Sequence, residues 1–155
     1  MSILHPLHKK GDLNDPDNYR GISLLNICSK LYSFVLNRRI SQWVELNNVV
    51  GEEQAGFREN RCTNDHIFTL LACVQKQLLR HRKLYVAFID FKKAFDSVCR
   101  DKLWKILFLN GINGKMLNAL KSMYDIVKAR VRVGSDFSDA FFCPRGLKQG
   151  EVCSP

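Results

Sequence analysis

Residues 84–98 read LYVAFIDFKKAFDSV, an apolar run that ends in an aspartate, Asp90, with a second aspartate, Asp96, after a lysine pair. Leu84 to Phe91 is apolar on both alternating faces apart from Asp90. That is the pattern of a central strand covered on both sides, not of a half-solvated one. Such a strand needs neighbours in a sheet and cover from another layer, so the chain is predicted to be α+β. A charge at the end of a buried strand is costly unless it is paired or bound to a cation. The residues leave two readings open. Asp90 caps the following loop or pairs with a lysine, or it is aimed at one edge to hold Mg2+, which favours hard oxygen ligands. Asp96 is predicted to cap a helix that follows it.

Around this run the chain alternates helical and extended patterns. HPLHKKGDLNDPDNYRGISLL is rich in Gly, Pro, Asn and Asp between two short apolar pieces, which predicts a hairpin or loop with extended flanks carrying Lys9, Lys10 and Arg20. From Leu24 to Leu46 the period turns helical, with Leu24, Ile27, Leu31, Phe34, Val35 and Ile40 recurring at mostly three- and four-residue steps. Thr63 is a predicted N-cap for a second helix from Asn64 to about His81, with Ile67, Leu70, Leu71, Val74 and Leu78 on one side. Further helices are predicted over Arg100–Leu109, closed by Gly111, and over Lys115–Tyr124. KARVRVGSDFSDAFF reads as two strands joined by a turn at Gly134 to Asp136. No linker, repeat or low-complexity tract divides the sequence.

Charge narrows the class of partner. There are 24 Lys and Arg against 15 Asp and Glu, a net charge of +9, which favours a polyanion such as nucleic acid, with a merely basic soluble protein as the alternative. The cysteines at 28, 62, 73, 99, 143 and 153 include no C-x-x-C pair, so a zinc site is not supported. They are read as reduced thiols, several acting as small hydrophobes in apolar segments. No apolar stretch approaches the 20 or so residues of a membrane span, and MSILHPLHKK lacks a signal peptide's apolar run.

Four stretches, in order, carry a family resemblance. FIDFKKAFD closely resembles the first catalytic motif of reverse transcriptases of the non-LTR (LINE-like) retrotransposon type. KKGDLNDPDNYRGISLLN resembles the fingers segment that opens the domain, EEQAGFRENRCTNDHI the Gly-Phe-Arg motif that follows, and RGLKQGEVCSP the Gln-Gly…Ser-Pro motif near the incoming nucleotide. Together they cover nearly the whole chain. The match departs at Val152 and Cys153, where the family more often has Pro and Leu.

The resemblance implies a right-hand polymerase, its helices packed on a small, incomplete sheet: fingers over about 1–82, the start of the palm over 83–110, and fingers and palm over 111–155 up to the Gln-Gly motif. It implies transfer of nucleotides from a dNTP to a DNA primer on an RNA template with two Mg2+ ions. Carried over, Asp90 is a catalytic metal ligand and the Phe91 carbonyl a further one. Phe95 lies beneath the nucleotide sugar, where a flat ring excludes a 2′ hydroxyl; core packing would equally explain it. Gln149 and Gly150 belong to the loop meeting the nucleotide. Lys9 or Lys10, together with Arg20, approach the triphosphate, and the Gly56-Phe57-Arg58 stretch lies near the template.

The family draws its other catalytic carboxylates from an aromatic-x-Asp-Asp hairpin downstream of the Gln-Gly motif, and this sequence contains no Asp-Asp pair. Asp136 and Asp139 precede the motif and are read as turn and strand-face residues. Hairpin and thumb are expected to lie outside this stretch, so the chain is predicted to be a reverse transcriptase fragment with negligible polymerase activity alone. The alternative is a non-catalytic nucleic-acid-binding remnant. An intracellular, nuclear site of action is implied by the resemblance only.

Overall fold

Turn chemistry builds the first element pair. The structure, a computed structural model, describes residues 1–154. Strand β1 (Ser2–His8) and strand β2 (Tyr19–Leu24) form an antiparallel hairpin in which Ile3 faces Leu24 and His8 faces Tyr19. The loop between them folds on its own side chains. Asp12 Oδ1 accepts from the Asn14 N–H at 2.9 Å, and Asp15 Oδ1 accepts from the Asp17 N–H at 2.9 Å, opening a 3-10 turn at Pro16–Asn18. Gly11 enters the left-handed region at φ 94°, which only glycine does without strain.

Helix α1 (Ile27–Leu46) begins where Asn26 Oδ1 accepts from the Ser29 N–H at 2.7 Å. Helix α2 (Thr63–Leu79) is capped one residue earlier than predicted, at Cys62, whose N–H donates to the Asp65 carboxylate at 2.8 Å. A single turn, α3 (Ala94–Ser97), precedes α4 (Arg100–Leu109) and α5 (Gly114–Ser122). Asp96 therefore lies inside a short helix and not ahead of one; the αL conformation of Lys93 (φ 51°) starts that turn one step sooner. Strand β3 (Lys128–Val133) pairs in parallel with β1 and antiparallel with β4 (Asp136–Phe137) and β5 (Phe141–Phe142). The path β2-β1-β3-β4, with β5 also on β3, makes a mixed sheet and the fold α+β.

The chain forms two compact units, Met1–Ile40 with the chain from Lys93 onward, and Ser41–Lys92. The first boundary falls inside α1, which is why no linker marks it in the sequence. The first unit buries Leu36, Ile112, Leu117, Leu120, Tyr124, Val127 and Ala129, the last with no exposed surface. In the second, Arg58 clamps the loop after α1: its guanidinium reaches both Glu45 carboxylate oxygens at 2.9 and 2.8 Å and the carbonyls of Gly51 and Gln54. That pair holds the Glu45 carboxyl below the usual carboxylate range.

Three sequence expectations are corrected. Residues 84–91 are not a strand; they are irregular and exposed, Phe88 and Ile89 by 86 and 83%. A two-faced apolar strand exists only where neighbours supply the ladder, and β1 to β5 pair with one another instead. The apolar stripe of α1 is also turned outward: Ile27, Leu31, Phe34 and Val35 are exposed while Ser33 and Leu36 are buried. The buried side is chosen by what it meets, the loop at 151–154, to which Ser33 bonds. Finally, all the cysteines are free, but Cys28, Cys62, Cys73 and Cys99 are exposed and fill no core.

Candidate functional site

Within the first unit, residues far apart in sequence converge on the loop 146–150. The Leu147 N–H donates to the Phe95 carbonyl at 2.8 Å, and the Gly146 N–H to the Val98 carbonyl at 2.9 Å, docking the loop on α3. Gly146 sits at φ 78°, where an added Cβ would lie 2.9 Å from Asp96 Cα; glycine alone permits this approach. At the loop's other end the Ser23 N–H of β2 donates to the Gln149 carbonyl at 2.7 Å. Gly150, at φ 108°, places its Cα where a Cβ would meet the Ser23 carbonyl at 3.0 Å. Backbone hydrogen bonds thus fasten one end of this loop to the Phe95 carbonyl and the other, at Gln149, to Ser23 of β2, against which Gly150 packs.

The hairpin tip is tied to α3 as well. Lys93 Nζ lies 2.8 Å from Asp17 Oδ1, an exposed pair that raises the lysine's pKa. Lys9 and Lys10 are exposed at that tip, and Arg20 is exposed on β2 opposite Leu7. Asp90 and Phe91 belong to the second unit, on the exposed irregular segment; Gly56, Phe57 and Arg58 belong to the same unit, in the loop between α1 and α2. Gly56 and Phe57 are exposed, whereas the Arg58 donors are committed to Glu45 and the loop carbonyls. Asp136 and Asp139 are exposed at β4 and just beyond it, as turn and strand residues. Pro155, which ends the Gln-Gly…Ser-Pro motif, lies outside the described residues.

Among the described residues, no three His, Cys, Asp or Glu side chains are grouped so that they could hold a metal ion. Mg2+ is usually held by one or two carboxylates together with waters and substrate phosphates, so one carboxylate and one carbonyl make up only part of its shell. Asp90 and the Phe91 carbonyl could hold one side of such an ion, and among the described residues no carboxylate cluster joins them.

Sequence reasoning missed a buried polar centre beside the loop. The Glu151 side chain is 1% exposed. The Tyr124 hydroxyl donates to its Oε2 at 2.6 Å, so Ser154 Oγ, 3.1 Å from that hydroxyl, acts as donor in turn. Ser33 Oγ lies 3.2 Å from Oε1, and Lys148 Nζ lies 3.9 Å from Oε2. Arg100 and Lys148 both lie over the Tyr124 ring, at 5.1 and 4.9 Å from its centroid. Arg100 also donates to the Gly146 carbonyl at 2.8 Å. Burial, then the bond to Glu151, pushes the Tyr124 pKa upward, and burial pushes the Cys153 thiol up to about 11. The only signal was a carboxylate inside an otherwise apolar GEVC string; nothing in the spacing pointed to Tyr124. The same centre holds both ends of the loop that carries Gln149. Among the described residues, no helix is long and apolar enough to cross a membrane.

A family model described as reverse transcriptase (RNA-dependent DNA polymerase) matches residues 7–155. The chain is 29% identical over 159 residues to the probable RNA-directed DNA polymerase from transposon BS of Drosophila melanogaster, matching all of this chain and 17% of that protein. It is 27% identical over 148 residues to the retrovirus-related Pol polyprotein from type-1 retrotransposable element R2 of Popillia japonica, 95% of this chain and 20% of that one. To the RNA-directed DNA polymerase from mobile element jockey of Drosophila funebris it is 26% identical over 142 residues, 91% of this chain and 15% of that protein. The chain therefore spans a fifth or less of the length of these curated relatives.

Proposed function

Because this chain belongs to the reverse transcriptase (RNA-dependent DNA polymerase) family and its relatives are retrotransposon polymerases, we propose that it serves as the fingers and first part of the palm of such an enzyme. The proposed division is fingers over about 1–82, palm start over 83–110, and fingers and palm over 111–155. In this reading the full polymerase adds dNTPs to a DNA primer on an RNA template. The observation that supports it most is the docking of the Gln149-Gly150 loop on Phe95 and Ser23 through backbone hydrogen bonds. A nucleotide lying over Phe95 would meet that loop at its base and sugar, and the hairpin tip with Lys9, Lys10 and Arg20 would supply cations for its phosphates. The Phe95 ring would exclude a 2′ hydroxyl. Gly56 and Phe57 are proposed near the template, with Arg58 holding their loop in shape.

Asp90 and the Phe91 carbonyl are proposed as part of a divalent-cation site, its remaining carboxylates supplied by residues other than those described here. The cation would stabilise the charge that develops on the transferring phosphate. The net charge of +9 also suits the second reading, a nucleic-acid-binding segment without catalysis.

Primer extension on an RNA template with dNTPs and Mg2+ separates the two. The purified chain alone should extend no primer. Joined to the downstream part of the transposon BS polymerase, it should synthesise DNA. No synthesis by the chimera, with RNA binding intact in EDTA, would favour the second reading.

A further inference from the structure

The exposed face of β3 alternates with a buried one. Ala129 is fully buried, while Lys128, Arg130 and Arg132 stand on the opposite side, in solvent. Successive residues on one face of a strand are about 6.7 Å apart, so the three cations form an evenly spaced row. The neighbouring strands place aromatic rings in that row. Phe142 is the register partner of Lys128, whose Nζ lies 4.8 Å from the ring centroid. Phe137 is the partner of Arg132, whose Cζ lies 5.8 Å from the ring centroid. Both rings are exposed, by 65 and 51%. Arg130, between them, faces Ile3 of β1. No carboxylate is carried at a strand position of this face; Asp136 pairs with Val133 and so points to the other side. None of the three cations forms an ion pair among the described residues.

We infer that this face of β3, β4 and β5 is a binding platform for single-stranded RNA. The row of cations complements a phosphate backbone, and the two phenylalanines offer flat faces for bases to stack on. Stacking of that kind selects single strands, because a duplex hides its base faces. A merely solvated basic strand would not require two large exposed rings at matching register. The choice of RNA over DNA rests on the family reading above; the platform itself does not, and it needs neither Asp90 nor a metal.

The test is fluorescence anisotropy of the 155-residue chain with a labelled 12-nucleotide oligo(U), titrated with KCl in EDTA. Binding should survive EDTA. The variant Lys128→Gln/Arg130→Gln/Arg132→Gln should lower the slope of log affinity against log salt by about 2, at roughly 0.7 per phosphate contact on a single strand. Phe142→Ala keeps every charge and should weaken binding at least about fivefold, the lower end of one lost stacking contact. Arg80→Gln/Arg82→Gln/Lys83→Gln removes equal charge beyond α2 and should leave the slope unchanged. If thermal unfolding shows the first triple variant to be unfolded, Arg130→Gln alone decides, with a slope change of about 0.7. An unchanged slope in the β3 variants, or an equal loss in the α2 variant, overturns the proposal. So does equal affinity for a 12-base-pair RNA duplex, and tighter binding of oligo(dT) than of oligo(U) overturns the assignment to RNA. An inactive polymerase chimera with RNA binding intact leaves the platform standing, so the two readings fail separately.

Discussion

The Tyr124 hydroxyl lies 2.6 Å from Oε2 of Glu151, joining the turn that follows α5 to the loop that follows Gly150. The carboxylate is almost fully enclosed, so it depends on its donors; a hydrogen bond to a buried charged group contributes about 1.5–3 kcal/mol. Tyr124→Phe should destabilise the first unit by that amount, read as a lower urea midpoint at unchanged slope. A shift under about 0.5 kcal/mol would mean that Ser33 and Lys148 suffice.

Alkali should undo the same region. The Tyr124 and Cys153 pKa values are both raised in the fold, mainly by burial. An acid whose folded pKa is raised stabilises the fold fully below its unfolded pKa, and the contribution is lost as pH climbs toward the folded value. For Cys153 that window runs from about 8.5 unfolded to about 11 folded; for Tyr124 it opens near 10 and extends upward. Tm followed by circular dichroism should fall from pH 9 to 11, and Tyr124→Phe with Cys153→Val should flatten the fall. An unchanged slope in the double variant would contradict it.

Gly146 and Gly134 make a matched pair. Both lie in the left-handed region, but a Cβ at Gly134 meets nothing within 4 Å while one at Gly146 strikes the backbone of Phe95 and Asp96. Gly134→Ala should cost about 1 kcal/mol, the left-handed penalty alone. Gly146→Ala should cost more than about 2 kcal/mol, since the backbone must shift as well. Equal midpoints in urea would show that the loop at 146–150 is not docked on α3.

Phe95 is tested through sugar selection. In the chimera with the downstream part of the transposon BS polymerase, Phe95→Ala should raise rNTP incorporation relative to dNTP at least about tenfold, as expected when a steric clash worth about 1.4 kcal/mol or more is removed. Unchanged selection would leave the ring a packing residue only.

What was legible in the sequence was mostly local. The hairpin could be read because Gly11, Asp12, Asp15 and Pro16 fix its loop through neighbours within a few residues. The bounds of α4 followed from its period and from Gly111 at φ 93°. The strand expected at 84–91 failed because apolarity reports a wish for cover and says nothing of which strands supply the ladder. Strand β5, two residues long, was read as an extension of β4, although a loop at 138–140 separates them. Phe95, Gln149 and Gly150 were named from motif resemblance; in the fold the Phe95 carbonyl bonds Leu147 and the Gln149 carbonyl bonds Ser23, at opposite ends of one loop. Glu151 was missed because its partners stand 27 and 118 residues away and the sequence carries no period that joins them.

The role proposed for Asp90 is tested most directly by Asp90→Asn in the same chimera, assayed for RNA-templated primer extension in Mg2+. The exchange keeps size and replaces the carboxylate that would hold a cation with a neutral amide, which has one ligating oxygen in place of two. Extension should fall by at least about a thousandfold, about 4 kcal/mol of lost transition-state stabilisation, with RNA binding in EDTA unchanged. Extension at the wild-type rate would contradict the assignment of Asp90 to the metal site.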